Sequence, residues 1–327
     1  MSDEFLDRLR EEPPAELRER LRRRLRRIEN EPVPVPLFRR LTPLLATAFL
    51  VMLAVSSFSI PSVRAAARSF LDSFRVRRFA AVPVDPARFD KLEARGLDLK
   101  TLFGRNVEVL EEPGEPEAVD GLEAASDLAG IPVSVPRELP EDARLEQIRV
   151  GGHGHMLATF SASQLQELLD ALEIRDVEVP VALDGQTVEI ETPPPVVILY
   201  QRGTDTIRLV ESRAPEVALP EAIDLQRLGE IGLRLAGMSA EEARMFAAQV
   251  DWGNTLLVPV PVGGSTFRQV DVGDAKGLLI TFLDQGKDGR SRGHWRSLLL
   301  WSADDRVFGL EARGQGIEVL RMAESMG

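Results

Sequence analysis

The stretch Leu41–Val63, LTPLLATAFLVMLAVSSFSIPSV, decides how the rest of the chain is read: it holds no charged side chain, and its densest apolar run is Leu44–Val55. At about 1.5 Å of rise per residue, a hydrocarbon core of roughly 30 Å needs about 20 mostly apolar residues, so the run is long enough to cross a bilayer. Pro43 stands near its start and Pro61 near its end. The interior is thus free of helix breakers and satisfies its own backbone hydrogen bonds as a helix. A buried helix of a soluble core is usually shorter and keeps a polar stripe. A cleaved secretory signal would not follow some forty polar residues. The run predicts a single transmembrane helix at 41–63.

Its flanks predict the orientation. Residues 1–40 hold eleven arginines, including Arg39 and Arg40 at the edge of the run, against five in residues 64–78. The positive-inside rule then puts the N-terminus in the cytoplasm and the C-terminal part outside it. Residues 1–78 are net positive, so the remainder carries the whole formal charge of −12 and more. A domain of that sign offers no phosphate-neutralising patch, which excludes nucleic acid as a partner. The chain has no cysteine, and with it no disulfide framework and no thiolate zinc site. Stability outside the membrane rests on an ordinary core, for which about 250 residues suffice.

Four parts follow: a cytoplasmic basic helix and Pro-rich spacer at 1–40, the membrane helix at 41–63, a membrane-proximal connector at 64–120 and an ectodomain at 121–327. In the first, Pro13-Pro14 opens a helix whose Leu17, Leu21, Leu25 and Ile28 make one narrow apolar stripe among arginines. That stripe is the candidate partner-binding site, for a cytoplasmic protein or for the anionic leaflet. The spacer ENEPVPVP (29–36) reads as extended. In the connector the chain breaks at Pro83 and Pro86, and EEPGEPE (111–117) reads as an acidic linker before the folded domain.

Inside the ectodomain, a short helix at 121–129 stops at Gly130, and IPVSVPRELP after it is too rich in proline for a central strand. Residues 145–150 and 156–160 alternate about a Gly-rich turn and predict a hairpin. Ser163 with Gln166 predicts a capped helix, as does Ser239 with Glu242. Strand patterns recur at 188–191, 196–200 and 206–211, and again at 255–259, 267–272, 278–283, 297–301 and 307–312, with helices at 222–235 and 317–325 between and after them. Strands joined by short turns favour an antiparallel sheet, and the expected fold class is α+β.

The chemistry-bearing motifs are few. Gly289 to Gly293 matches G-x-S-x-G, but that nucleophile elbow needs a helix directly after it and here a strand pattern follows, so no hydrolase is expected. His153 and His155 form H-x-H, with His294 the third histidine of the chain. The surrounding Gly151, Gly152 and Gly154 read as a mobile turn, so no metal and no cofactor is expected. Residues 284–289 fail the calcium-loop spacing, and no dinucleotide or Walker glycine pattern is present. Trp252, Trp295 and Trp301 read as core or sheet-edge anchors. The chain reads as a non-enzyme.

Two segments carry a resemblance. EAASDLAGIPV (123–133) with VPRELP (135–140), and Leu300-Trp301 with EVLRMAES (318–325), resemble the opening and the ending of an uncharacterised ectodomain family of bacterial membrane proteins, some of them anti-sigma factors or their relatives. The resemblance spans nearly all of 121–327. It implies a curved sheet similar to the open half-barrel of periplasmic lipoprotein carriers and envelope sensor domains. It also implies a regulator whose ectodomain binds an envelope ligand, or alternatively a tethered carrier of lipid or lipoprotein. Many anti-sigma relatives have a cytoplasmic His/Cys zinc motif, and residues 1–40 contain neither residue type.

Overall fold

Runs of aliphatic side chains with period two dominate the middle and end of the chain, and in the computed structural model they pair into sheets. The structure describes residues 76–97, 106–221, 223–284, 294–314 and 316–326. In chain order its elements are β1 (Arg78–Val84), α1 (Pro86–Ala94), β2 (Val107–Glu111), β3 (Glu117–Ala118), α2 (Leu122–Ala129), β4 (Ala143–Val150), β5 (Gly154–Thr159), α3 (Ala162–Ala171), β6 (Thr187–Thr192), β7 (Val196–Arg202), β8 (Asp205–Arg213), β9 (Glu216–Ala218), α4 (Leu225–Ala236), α5 (Ala240–Gln249), β10 (Thr255–Pro261), β11 (Ser265–Val272), β12 (Ala275–Asp284), β13 (His294–Ala303), β14 (Arg306–Arg313) and α6 (Ile317–Glu324). The expected α+β class with a membrane helix is corrected here. Among the described residues strand makes up 41% and helix 26%, so sheets set the architecture and the fold is mainly β. Among the described residues no helix is long and apolar enough to cross a membrane. The run 41–63 lies outside the described residues.

Eight strands form the largest sheet, in the order β11-β12-β13-β14-β8-β7-β4-β3, and every neighbouring pair is antiparallel. On one of its faces Leu279, Leu299, Trp301, Leu310, Leu209 and Ile198 pack against Ala125 and Ala129 of α2 and Val319, Met322 and Ala323 of α6. The helix α2 stops where the sequence predicts, at Gly130 in the left-handed conformation with φ 63°. The two family-like segments therefore meet on one face, and the Glu138 amide donates to Ser325 Oγ at 3.1 Å.

The other face is not the open concave surface expected of a half-barrel. Leu278, Ile280, Leu298 and Leu300 are covered by Val76, Phe79 and Ala81 at β1, by Val260 of β10, and by Val188, Ile190 and Val217 of a second sheet. That second sheet has four strands, β2-β5-β6-β9. Further along the same face, exposed Arg208 and Arg149 stand among half-buried Val197, Leu199 and Val210, so that part mixes polar and apolar side chains.

Two pairings depart from the sequence reading. Residues 143–150 and 154–159 are not a hairpin: β4 pairs with β7 in the large sheet, whereas β5 pairs with β2 and β6 in the small one. The strand β1 pairs in parallel with β10, Val82 lying opposite Pro259. In a two-stranded sheet both strands keep a free edge, which is why Pro83, Pro259 and Pro261 are tolerated there. Residues 76–84 are thus packed into the folded body, which reaches N-terminal of Gly121. The helix α3 is capped by Ser161, two residues before the predicted Ser163, while α5 has the predicted capping box of Ser239 and Glu242.

Candidate functional site

The small sheet is amphipathic because its strands alternate. In TVEIET (187–192), Val188 and Ile190 point into the core and Glu189 and Glu191 point the other way. Register puts His155 of β5 opposite Glu191 of β6, and a bulge in β2 brings Glu111 opposite His155. His155 Nε2 lies 2.8 Å from Glu189 Oε1. His153 Nδ1 lies 3.0 Å from Glu111 Oε2, and its Nε2 lies 3.9 Å from Glu191 Oε2. An ionised carboxylate only accepts, so Nδ1 of His153 is the donor to Glu111, and in the neutral ring Nε2 is then the acceptor nitrogen. The same reasoning makes His155 Nε2 the donor to Glu189.

The backbone under these side chains is tightly held, not a mobile turn. A Cβ on Gly151 would come 2.9 Å from the Pro195 ring, and one on Gly152 would come 2.5 Å from the Pro113 carbonyl oxygen. A Cβ on Gly154 would overlap Thr192 Oγ1. Gly152 N also donates to Pro113 O at 2.9 Å, and Gly151 N to Pro195 O at 2.8 Å. The three glycines let the acidic linker and the β6–β7 turn close on the H-x-H segment from both sides.

Charge is concentrated here. Among the described residues, the ion-pair partners of Glu111, Glu189 and Glu191 are the two histidines and neither Lys nor Arg. His155 is 18% and Glu189 22% exposed at the side chain, against 44% for Glu191, so the cluster is half sheltered and open on one side. The ligand atoms of His155, Glu189 and Glu191 all lie within 4.8 Å of one another.

The third histidine is not brought to this place. His294 opens β13 of the large sheet opposite Asp284. The candidate stripe of Leu17, Leu21, Leu25 and Ile28 lies outside the described residues, as does the G-x-S-x-G segment at 289–293. Trp301 is buried in the core, Trp252 is half-buried, and Trp295 is exposed near the start of the interior strand β13. The carboxylates of Glu189 and Glu191 are the residues that the sequence reading passed over. Their period-two spacing on a strand with an apolar opposite face is the pattern that marks them.

The chain matches no known protein family, no curated protein and no solved structure.

Proposed function

We propose that this chain is a membrane-associated regulator of the bacterial envelope, anti-sigma-factor-like in organisation, whose folded part senses a ligand outside the cytoplasm. The observation that carries the sensing role is the solvent face of the small sheet. There, ligand-capable side chains are concentrated on a rigid platform whose other face is committed to the core. Binding at that face touches β6 and β2 directly and, through Val188 and Ile190, the core they share with β1 and β12. The placement at the inner membrane rests on the charge and hydropathy of residues 1–63 alone. The anti-sigma likeness rests on residues 123–140 and 300–325. A carrier of lipid would need a wide open apolar concavity, and Leu278, Ile280, Leu298 and Leu300 on that face are covered by the chain's own residues, which favours the regulator.

The cytoplasmic stripe separates the two. Leu17, Leu21, Leu25 and Ile28 gain burial of about 1.5 to 3 kcal/mol each only when a partner covers them. The expected outcome for the full chain carrying Leu21→Ser and Leu25→Ser is normal insertion and orientation with loss of a co-purifying sigma factor. A double variant that behaves as the wild type in both assays, or a wild type that retains extractable lipid and no sigma factor, overturns the regulator.

A further inference from the structure

We propose that His155, Glu189 and Glu191, with His153 as the fourth donor, form a binding site for one divalent transition-metal ion, zinc foremost. This deepens the sensing reading by naming the ligand class of that same face.

The donor set selects the ion. Calcium and magnesium take oxygen ligands in shells of six or more, whereas two imidazoles beside two carboxylates suit zinc and its neighbours. Two ionised glutamates supply a formal −2 against the ion's +2. Among the described residues the ion-pair partners of those carboxylates are imidazoles and neither Lys nor Arg, so the cation answers a negative charge that no fixed cation offsets.

Geometry is compatible with closure. A tetrahedral zinc with bonds of about 2.0 to 2.1 Å holds its donors about 3.3 Å apart. The three ligand atoms already lie within 4.8 Å of one another. The remaining movement is about 1.5 Å or less, which rotation of glutamate side chains on a fixed strand supplies. Zinc takes the place of the proton that His155 Nε2 now shares with Glu189, and that proton is exchanged through solvent onto Nδ1, so the ring binds as the neutral Nδ1–H tautomer. His153, whose ring centroid lies 6.4 Å from that of His155, stands outside that triplet and moves in to take the fourth position. Glu111 holds its Nδ1–H, which fixes the ring and leaves the Nε2 lone pair on the side of Glu191, the arrangement by which an outer carboxylate orients a metal-binding imidazole. The packed glycines beside them hold the backbone that carries both histidines.

The test uses the full chain, stripped with chelator and titrated with Zn2+ alone, and read by competition against a chromophoric chelator. Substitution with Co2+ gives a second reading, in visible absorption. The expected result is one Zn2+ per chain and a Co2+ spectrum of tetrahedral intensity. His155→Ala and Glu189→Gln each weaken binding at least about 100-fold, and Glu111→Gln weakens it about 10-fold by releasing His153. Circular dichroism and the thermal midpoint of the metal-free variants check that each is folded, and a variant that is not folded is replaced by His155→Gln, which keeps the side-chain volume. Absence of stoichiometric Zn2+ from the folded wild type overturns the site, as does Zn2+ retained undiminished by the His155 and Glu189 variants, or displacement of Zn2+ by equimolar Ca2+. The regulator reading fails separately, through the Leu21 and Leu25 variant, because that assay needs no added metal.

Discussion

Glu211, whose side chain has no exposed surface, is held between Arg306 of β14 and the backbone of Ser134. Arg306 Nη1 donates to Glu211 Oε1 and also to Pro132 O at 2.7 Å, while the Ser134 amide donates to Glu211 Oε2 at 2.8 Å. The pair therefore ties the extended IPVSVP segment to the large sheet. Arg306 further lies over the Phe308 ring, 5.2 Å from its centroid.

Burial raises the Glu211 carboxyl above its ordinary value, and this outweighs the Ser134 hydrogen bond and the Arg306 charge, which both lower it. A folded-state value above the unfolded one means that the neutral form is favoured on folding. Its contribution is complete below the unfolded value of 4.5 and is lost as pH rises through the folded value. Denaturation of the wild type and of Glu211→Gln between pH 4 and pH 8 should show the wild type losing stability relative to the variant as pH rises, then levelling. A wild type that gains on the variant over that range would contradict the assignment. Glu211→Ala, which strands Arg306 and the Ser134 amide, is expected to cost about 3 to 5 kcal/mol.

Trp301 stacks on Phe308 with ring centroids 4.8 Å apart and planes 6° from parallel. Trp301 is 4% exposed and belongs to the core that joins the large sheet to α2 and α6. Trp301→Ala is expected to lower stability by about 3 to 5 kcal/mol, with Phe308→Ala close behind and the double variant less than additive. Urea unfolding checks this, and a loss below about 1 kcal/mol for Trp301→Ala would place the ring outside the core.

On α4, Gly229 lies against the indole of Trp252, whose Nε1 donates to Ala247 O of α5 at 2.9 Å. A Cβ at 229 would overlap the six-membered ring. Alanine gains about 1 kcal/mol over glycine in helix propensity, yet the overlap displaces the ring and costs about 1 to 3 kcal/mol, so Gly229→Ala should be neutral to destabilising where propensity alone predicts a gain. In a Trp252→Leu background the same change should become stabilising. Equal effects of Gly229→Ala in the two backgrounds would refute the contact.

What the sequence made legible was local. The Gly130 stop and the Ser239 with Glu242 cap are set by residues three to five positions apart, and the meander from β11 to β14 is written in consecutive alternating runs. What it hid was long-range pairing. Nothing near Arg78–Val84 marks the strand at Thr255–Pro261 as its partner, and Pro83 argues against a strand in the first segment unless it is known to be an edge. The turn between β4 and β5 reads as a hairpin because hairpins are judged on the two runs and the glycines between them. The close approach of Pro113 and Pro195 that splits the runs into separate sheets comes from elsewhere in the chain. The same limit hid the site: H-x-H was visible, but Glu189 and Glu191 become its neighbours only through the β5–β6 register.

The parallel pairing of β1 carries a prediction about where the folded body begins. Val76 and Phe79 lie in the core shared by the two larger sheets, and Val82 and Val84 pack with Leu233, Ala243 and Ala247 of α4 and α5. Each such aliphatic or aromatic side chain contributes about 1.5 to 3 kcal/mol through burial. Together the four contribute about 6 to 12 kcal/mol, comparable to the whole stability of about 5 to 15 kcal/mol of a typical domain. Removing them also bares Leu278, Ile280 and the β10 edge, a surface prone to association. A chain begun at Arg75 should therefore unfold cooperatively, whereas one begun at Gly121 should aggregate or melt without a transition. Because the shorter chain also lacks β2, Phe79→Asp in the longer one serves as the companion measurement, expected to abolish the cooperative transition by burying a charge. A cooperative unfolding curve from the chain begun at Gly121 would show that β1 is an accessory strand and not part of the core.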